Sequence, residues 1–158
     1  MVAPTRELVV QIEENVRAYA KHGPLRMATV FGGVSERPQI EALRSGVDLV
    51  VATPGRLIDL MDQRVANLSG IEFLVLDEAD QMLDLGFIHD LRKISKLVPK
   101  NRQTLLFSAT MPKAIADLSA EYLSNPKRVE VSPPGKAADK VEQYVHFVQG
   151  PSQKTELL

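Results

Sequence analysis

Phe73-Leu74-Val75-Leu76-Asp77-Glu78-Ala79-Asp80 is the stretch on which the reading of this chain turns. An apolar run leads straight into two adjacent carboxylates, with a third close behind. A buried strand that ends this way delivers its acids to the carboxyl edge of a sheet, where α/β proteins bind ligands. Adjacent acids at such an edge can hold a hydrated Mg²⁺ and position a water beside a phosphate. The plainer reading is a strand that closes in a solvated acidic turn.

The same grammar recurs on either side. Leu49-Val50-Val51-Ala52 leads into Thr53-Pro54-Gly55-Arg56-Leu57, and Leu105-Leu106-Phe107 leads into Ser108-Ala109-Thr110. Pro4-Thr5-Arg6-Glu7-Leu8 opens a helical pattern that continues through Ile12, Val16 and Ala20. Periodicity and turn residues predict helices over 7–21, 36–44, from Thr53-Pro54 onward, over 85–98 and over 112–123. They predict strands over 25–31, 47–52, 71–76, 103–107 and 127–131. Strands that alternate with helices argue for a parallel, doubly wound sheet covered on both faces. After Val131 the character changes. Ser132-Pro133-Pro134-Gly135-Lys136 reads as a linker. A further strand is expected over 141–148, and the start of a helix over 154–158.

Composition narrows the field. At 158 residues and 44% apolar, the chain suits one globular domain. With no cysteine, disulfides and thiolate-bound metals are excluded. His22, His89 and His146 are scattered and read as surface histidines rather than metal ligands. No run of about 18 apolar residues is present, and no basic-then-apolar leader, so a cytoplasmic location is expected. The formal net charge is −1. Nucleic acid would therefore be held by oriented backbone N–H groups and a few arginines, not by bulk charge. Arg17, Lys21, Arg26, Arg37, Arg44 and Arg64 lie between the motifs and read as solvated surface.

Pro4-Thr5-Arg6, Gly32-Gly33, Thr53-Pro54-Gly55-Arg56, Asp77-Glu78-Ala79-Asp80 and Ser108-Ala109-Thr110 stand in a set order. In that order and approximate spacing they resemble the first core domain of DEAD-box RNA helicases, as motif Ia, the GG element and motifs Ib, II and III. The resemblance runs along essentially the whole chain, and its finer features resemble the bacterial RhlE-type branch. It implies a RecA-like (P-loop NTPase) domain over 1–131, a linker over 132–140, and over 141–158 the start of a second RecA-like domain. The phosphate-cradling pattern G-x-x-x-x-G-K-[ST] is missing from the sequence. Its only Gly-Lys pair, Gly135-Lys136, is followed by Ala137 and has Glu130 where the first glycine belongs. In the family that loop lies upstream of motif Ia, as does the adenine-reading Q motif. The expectation is therefore an internal piece of a helicase whose sheet lacks the P-loop strand.

By the same resemblance, in the parent helicase Asp77 would hold Mg²⁺ through water and Glu78 would orient or deprotonate the water that attacks ATP. This chain alone, without the phosphate cradle, is expected to bind neither ATP nor Mg²⁺ stably and to be inactive. Ser108 and Thr110 bond Asp80 and couple hydrolysis to unwinding. Helix capping at Pro112 is the competing role for Thr110. Pro4, Thr5, Arg6, Gly32, Gly33, Thr53, Pro54, Gly55 and Arg56 line the RNA groove. Physically, two helix N-termini with an arginine in the first turn offer unpaired N–H groups and positive charge to phosphates. Such contacts track a backbone without reading bases. Simple helix capping by Thr5 and Thr53 is the bland alternative. At the level of the whole chain, the alternative to a helicase piece is a binding module that kept the fold without ATPase activity. By the resemblance, the missing P-loop strand leaves a vacant place between 103–107 and 127–131, to be filled by the last strand moving inward, by the segment 141–148 or by a second chain. The last two are favoured and point to a homo-oligomer formed by strand exchange.

Overall fold

Each strand found here leads into a helix, and local sequence explains most of the boundaries. The computed structural model describes residues 1–131 and 144–147. Two units are compact in themselves, Met1–Lys127 and Arg128–Leu158. The first contains helix α1 (Arg6–Tyr19), strand β1 (Met27–Val30), α2 (Arg37–Arg44), β2 (Leu49–Ala52) and α3 (Pro54–Asp62). It continues with β3 (Phe73–Leu76), α4 (Ala79–Asp84), α5 (Ile88–Leu97), β4 (Gln103–Leu106) and α6 (Lys113–Tyr122).

β1 pairs with β2 and β3 with β4, both in parallel. Residues 1–3 join the two pairs. The Val2 N–H donates to Val75 O at 2.8 Å, and the Asp77 N–H to Val2 O at 2.9 Å. On the other side, the Ala3 N–H donates to Ala52 O at 2.9 Å and the Ala52 N–H to Met1 O at 3.0 Å. Alternating donation to left and right is the parallel ladder pattern. The order across the sheet is therefore β1, β2, residues 1–3, β3, β4, with β4 at an edge among the described residues. Pro4-Thr5-Arg6 thus sits where a strand segment turns into a helix, but Met1-Val2-Ala3 is too short for its sequence to show a central place in the sheet.

Successive side chains of a strand point to opposite faces, and the two faces have separate cores. Val2, Val30, Ala52, Leu74 and Leu76 pack on one face against Leu57, Leu60, Met82, Leu91, Ile94, Ile115 and Leu118. Ala3 and Val51 pack on the other face against Val9 of α1, with Leu8, Ile12 and Phe31 around them. The expected doubly wound α/β arrangement is present.

Three expectations need correction. Residues 127–131 form no strand, and Val129 and Val131 are 80% and 96% exposed. Apolar alternation alone does not make a strand without a ladder to hold it. The helix expected over 85–98 is two helices. Gly86 has φ +84, and its N–H reaches Leu83 O while the Phe87 N–H reaches Met82 O. Those paired bonds are a Schellman stop, which closes α4 before α5 begins. Of the strand expected over 141–148, residues 144–147 are described and lie in no strand. The remainder of that segment, and the helix start at 154–158, lie outside the described residues.

Candidate nucleotide and nucleic-acid edge

Because all five strand segments are parallel, all five motif segments leave the sheet at the same carboxyl edge. This is where a helix N-terminus or a strand-end carboxylate faces a ligand. Two groups of residues form there.

The first group joins the ends of β3 and β4. Asp77 is half-buried, and its Oδ1 accepts the Glu78 N–H at 3.0 Å. Glu78 has φ +49 and ψ +53, a left-handed backbone uncommon for a residue with a side chain. Its carbonyl takes the Met82 N–H and starts α4, while the Ala79 N–H is tied to Phe107 O at 2.9 Å. Asp80 is the junction. Its Oδ2 accepts the Thr110 N–H and the Thr110 hydroxyl, both at 2.8 Å, and its Oδ1 accepts the Gln81 N–H. The Asp80 N–H donates to Ser108 Oγ at 3.2 Å, and Ser108 Oγ donates to Thr110 O at 2.7 Å. Burial alone acts to raise the Asp80 pKa, but the bonds from Thr110 and Gln81, with the Ser108 hydroxyl close by, outweigh it and hold the carboxyl below its usual range. Thr110 does not cap α6, whose N-cap position is Pro112 with no side-chain capping bond. Its hydroxyl has gone to Asp80 instead, where the acceptor is charged.

The second group gathers the ends of residues 1–3, β1 and β2. Thr5 caps α1, accepting the Leu8 N–H at 3.3 Å. The exposed Arg6 guanidinium lies 5.2 Å from the centroid of the Phe31 ring, a cation–π distance. Gly33 has φ +78, and a Cβ placed there would sit 4.0 Å from Arg6 Nη1. Thr53 occupies the N-cap position of α3, but its side chain makes no capping bond. Its N–H instead extends the β1–β2 ladder to Val30 O. Pro54 is buried at the first helical position, where a missing N–H costs nothing. Gly55 is exposed, with Phe87 nearby. Arg56 is turned partly inward, its side chain only 16% exposed. It donates to Val34 O at 3.4 and 3.5 Å and pairs with Asp59 at 3.6 Å. Sequence reasoning missed Phe31, Val34 and the loop's anchor, Gln39. A glutamine on a short helix carries no signal of where its amide will point.

A parallel α/β domain with acids and arginines on one carboxyl edge is the arrangement of a RecA-like domain of DEAD-box proteins, and the match to solved structures identifies it as one. A hypothetical ATP-dependent RNA helicase from Sulfolobus tokodaii superposes with a TM-score of 0.75 at 40% identity, over 80% of this chain and 38% of that one. A DEAD box protein from Methanococcus jannaschii gives 0.74 at 38% identity, over 78% of this chain and 34% of that one. The profile of the DEAD/DEAH box helicases matches residues 1–118. The chain belongs to that family. It is 44% identical over 144 residues to the DEAD-box ATP-dependent RNA helicase CshA of Streptococcus pneumoniae, covering 91% of this chain and 28% of that protein. It is 46% identical over 159 residues to the ATP-dependent RNA helicase DBP2 of Encephalitozoon cuniculi, covering 100% of this chain and 32% of that protein. The chain thus spans about a third or less of these relatives. Among the described residues, no helix is long and apolar enough to cross a membrane.

Proposed function

We propose that this chain carries the acid pair and the RNA-backbone edge of an ATP-dependent RNA helicase, whose ATP cycle needs parts beyond these residues. The observation that supports this best is the Asp80 junction. One carboxylate holds the ends of β3 and β4 together through Thr110, so a shift at Asp77-Glu78 must move Ser108-Ala109-Thr110 with it. Coupling of hydrolysis to unwinding requires such a linkage.

Among the described residues, no three His, Cys, Asp or Glu side chains gather around a common point. Mg²⁺ needs no such cage, because it keeps several waters and takes one or two carboxylates plus phosphate oxygens. Half-exposed Asp77 suits a water-mediated contact, and exposed Glu78 suits holding a proton of a water beside it. Bound Mg²⁺ with ATP would neutralise charge developing on the phosphate. The sequence contains no glycine-rich loop to cradle those phosphates. RNA phosphates are contacted along Thr5, Arg6, Gly32, Gly33, Thr53, Gly55 and Arg56, without base preference, while Pro4 and Pro54 are buried beneath that edge and shape it rather than touch RNA.

On its own the chain is expected to bind single-stranded RNA weakly and with strong salt dependence. Arg6→Ala and Arg56→Ala each weaken binding equally on every homopolymer. Turnover of ATP by the isolated chain is expected to be undetectable. Titration against labelled homopolymers across a salt series, with a phosphate-release assay alongside, tests both points. Large, salt-independent differences between homopolymers would sink the backbone reading. RNA-stimulated turnover lost in Glu78→Gln would sink the claim of inactivity.

A further inference from the structure

Gln39 is the one buried polar side chain among the described residues, 7% exposed on α2. Burying a primary amide is unfavourable unless its donors and acceptor are satisfied. Here they are satisfied by the loop that follows β1. Gln39 Oε1 accepts the Phe31 N–H at 3.2 Å. Gln39 Nε2 donates to Phe31 O at 3.0 Å and to Ser35 O at 3.3 Å. The amide exchanges both backbone bonds of Phe31, as a neighbouring strand would. It thereby extends the order of β1 by one residue and closes the loop over Gly32, Gly33 and Val34.

That loop is the shared support of two arginines. Phe31 presents its ring to Arg6, and Gly33 lies beside the same guanidinium. Val34 offers its carbonyl to Arg56. The hydrogen bonds of Gln39 go to Phe31 and Ser35 and not to either arginine, but both arginines rest on backbone that Gln39 fixes.

We infer that Gln39 is a positioning residue for RNA. Its buried amide locks the 31–35 loop, and the loop sets Arg6 and Arg56 at the spacing that engages successive phosphates. The inference rests on the RNA-backbone reading given above. An apolar side chain of similar length would fill the space but leave the Phe31 N–H, Phe31 O and Ser35 O without partners. A glutamate would keep the acceptor and set a carboxylate against two carbonyls.

The full chain is tested with a labelled oligouridylate at several salt concentrations, and by amide hydrogen exchange. Gln39→Met is expected to lose protection at the Phe31 N–H while β1 and β2 keep theirs. Its RNA affinity should fall about tenfold, the effect of one or two buried hydrogen bonds. The slope of log affinity against log salt should flatten by roughly 0.7 for each phosphate no longer engaged. A core variant of reduced stability, Leu118→Ala, should leave that slope unchanged, because it lowers only the folded fraction. The double variant Gln39→Met with Arg6→Ala should lose less than the product of the single losses, since both act on one contact. Should Gln39→Met not fold, Phe31→Leu removes the ring and keeps the amide bonds, with an expected loss of about threefold from the missing cation–π support. If Arg6→Ala weakens binding while Gln39→Met keeps both affinity and slope, the positioning role is overturned and the RNA reading stands. If neither Arg6→Ala nor Arg56→Ala weakens binding, the RNA reading falls and the role of Gln39 falls with it.

Discussion

Asp80 shows how much one side chain can hold in place. Its carboxylate receives bonds from Thr110 and Gln81 while its own N–H is held by Ser108. Because its pKa is depressed in the folded state, the unfolded chain binds this proton more readily. Stability from Asp80 is therefore fully present above the unfolded value of about 3.9. It is lost as pH falls through the lower folded value. Urea unfolding of the wild type and Asp80→Asn between pH 6 and pH 3 should show a gap that closes toward the acid end. A gap that stays constant with pH would mean the carboxylate's charge contributes nothing. Thr110→Val removes one of the two bonds from Thr110 and keeps its shape, so a loss of about 0.5–1.5 kcal/mol is expected at neutral pH.

At the scale of the element, α1 and α3 look alike in sequence and differ in how they begin. Both follow a strand segment through a threonine, with an arginine in the first turn. Only Thr5 uses its side chain as a cap. α3 starts on a buried proline, and its Thr53 is held through the backbone ladder instead. Thr5→Ala should therefore destabilise the domain by about 1 kcal/mol, the usual cost of a lost N-cap. Thr53→Ala should cost a few tenths at most. Denaturant midpoints of the two variants, measured side by side, check this. Equal losses would show that Thr53 contributes a bond of its own.

Among the described residues, the sheet of the first unit has an unpaired margin. β4 pairs with β3 alone among the described residues, and its strand contains no buried residue. On the face opposite the larger core, Phe73 is 63% exposed, with Val75 and Leu105 half-buried beside it, and Phe107 at the end of β4 is 52% exposed. An apolar face next to an unpaired strand edge is a template for pairing with another chain. The isolated chain should therefore self-associate as concentration rises, through this margin. Phe73→Lys should shift it toward monomer without lowering its unfolding temperature, since Phe73 is largely exposed. Sedimentation velocity over a hundredfold concentration range reads this directly. A wild type that stays monomeric throughout would remove strand exchange from the account.

The sequence by itself determined the alternation of strands and helices, the parallel α/β class and the five motif segments. Each of these is written in local period or in residues adjacent along the chain. It also determined that Thr5 stands at a helix start, because a capping threonine acts on the next turn. Only the tertiary structure decided that Thr110 bonds Asp80 and that Pro112 takes the N-cap position of α6, since the carboxylate that receives the Thr110 hydroxyl lies thirty positions away along the chain. It alone placed residues 1–3 at the centre of the sheet and left residues 127–131 out of it, because strand status depends on a neighbour's ladder and not on composition. The burial of Gln39 was likewise settled in three dimensions. A polar residue goes inside only where separate pieces of backbone converge to satisfy it, and that convergence has no period to read.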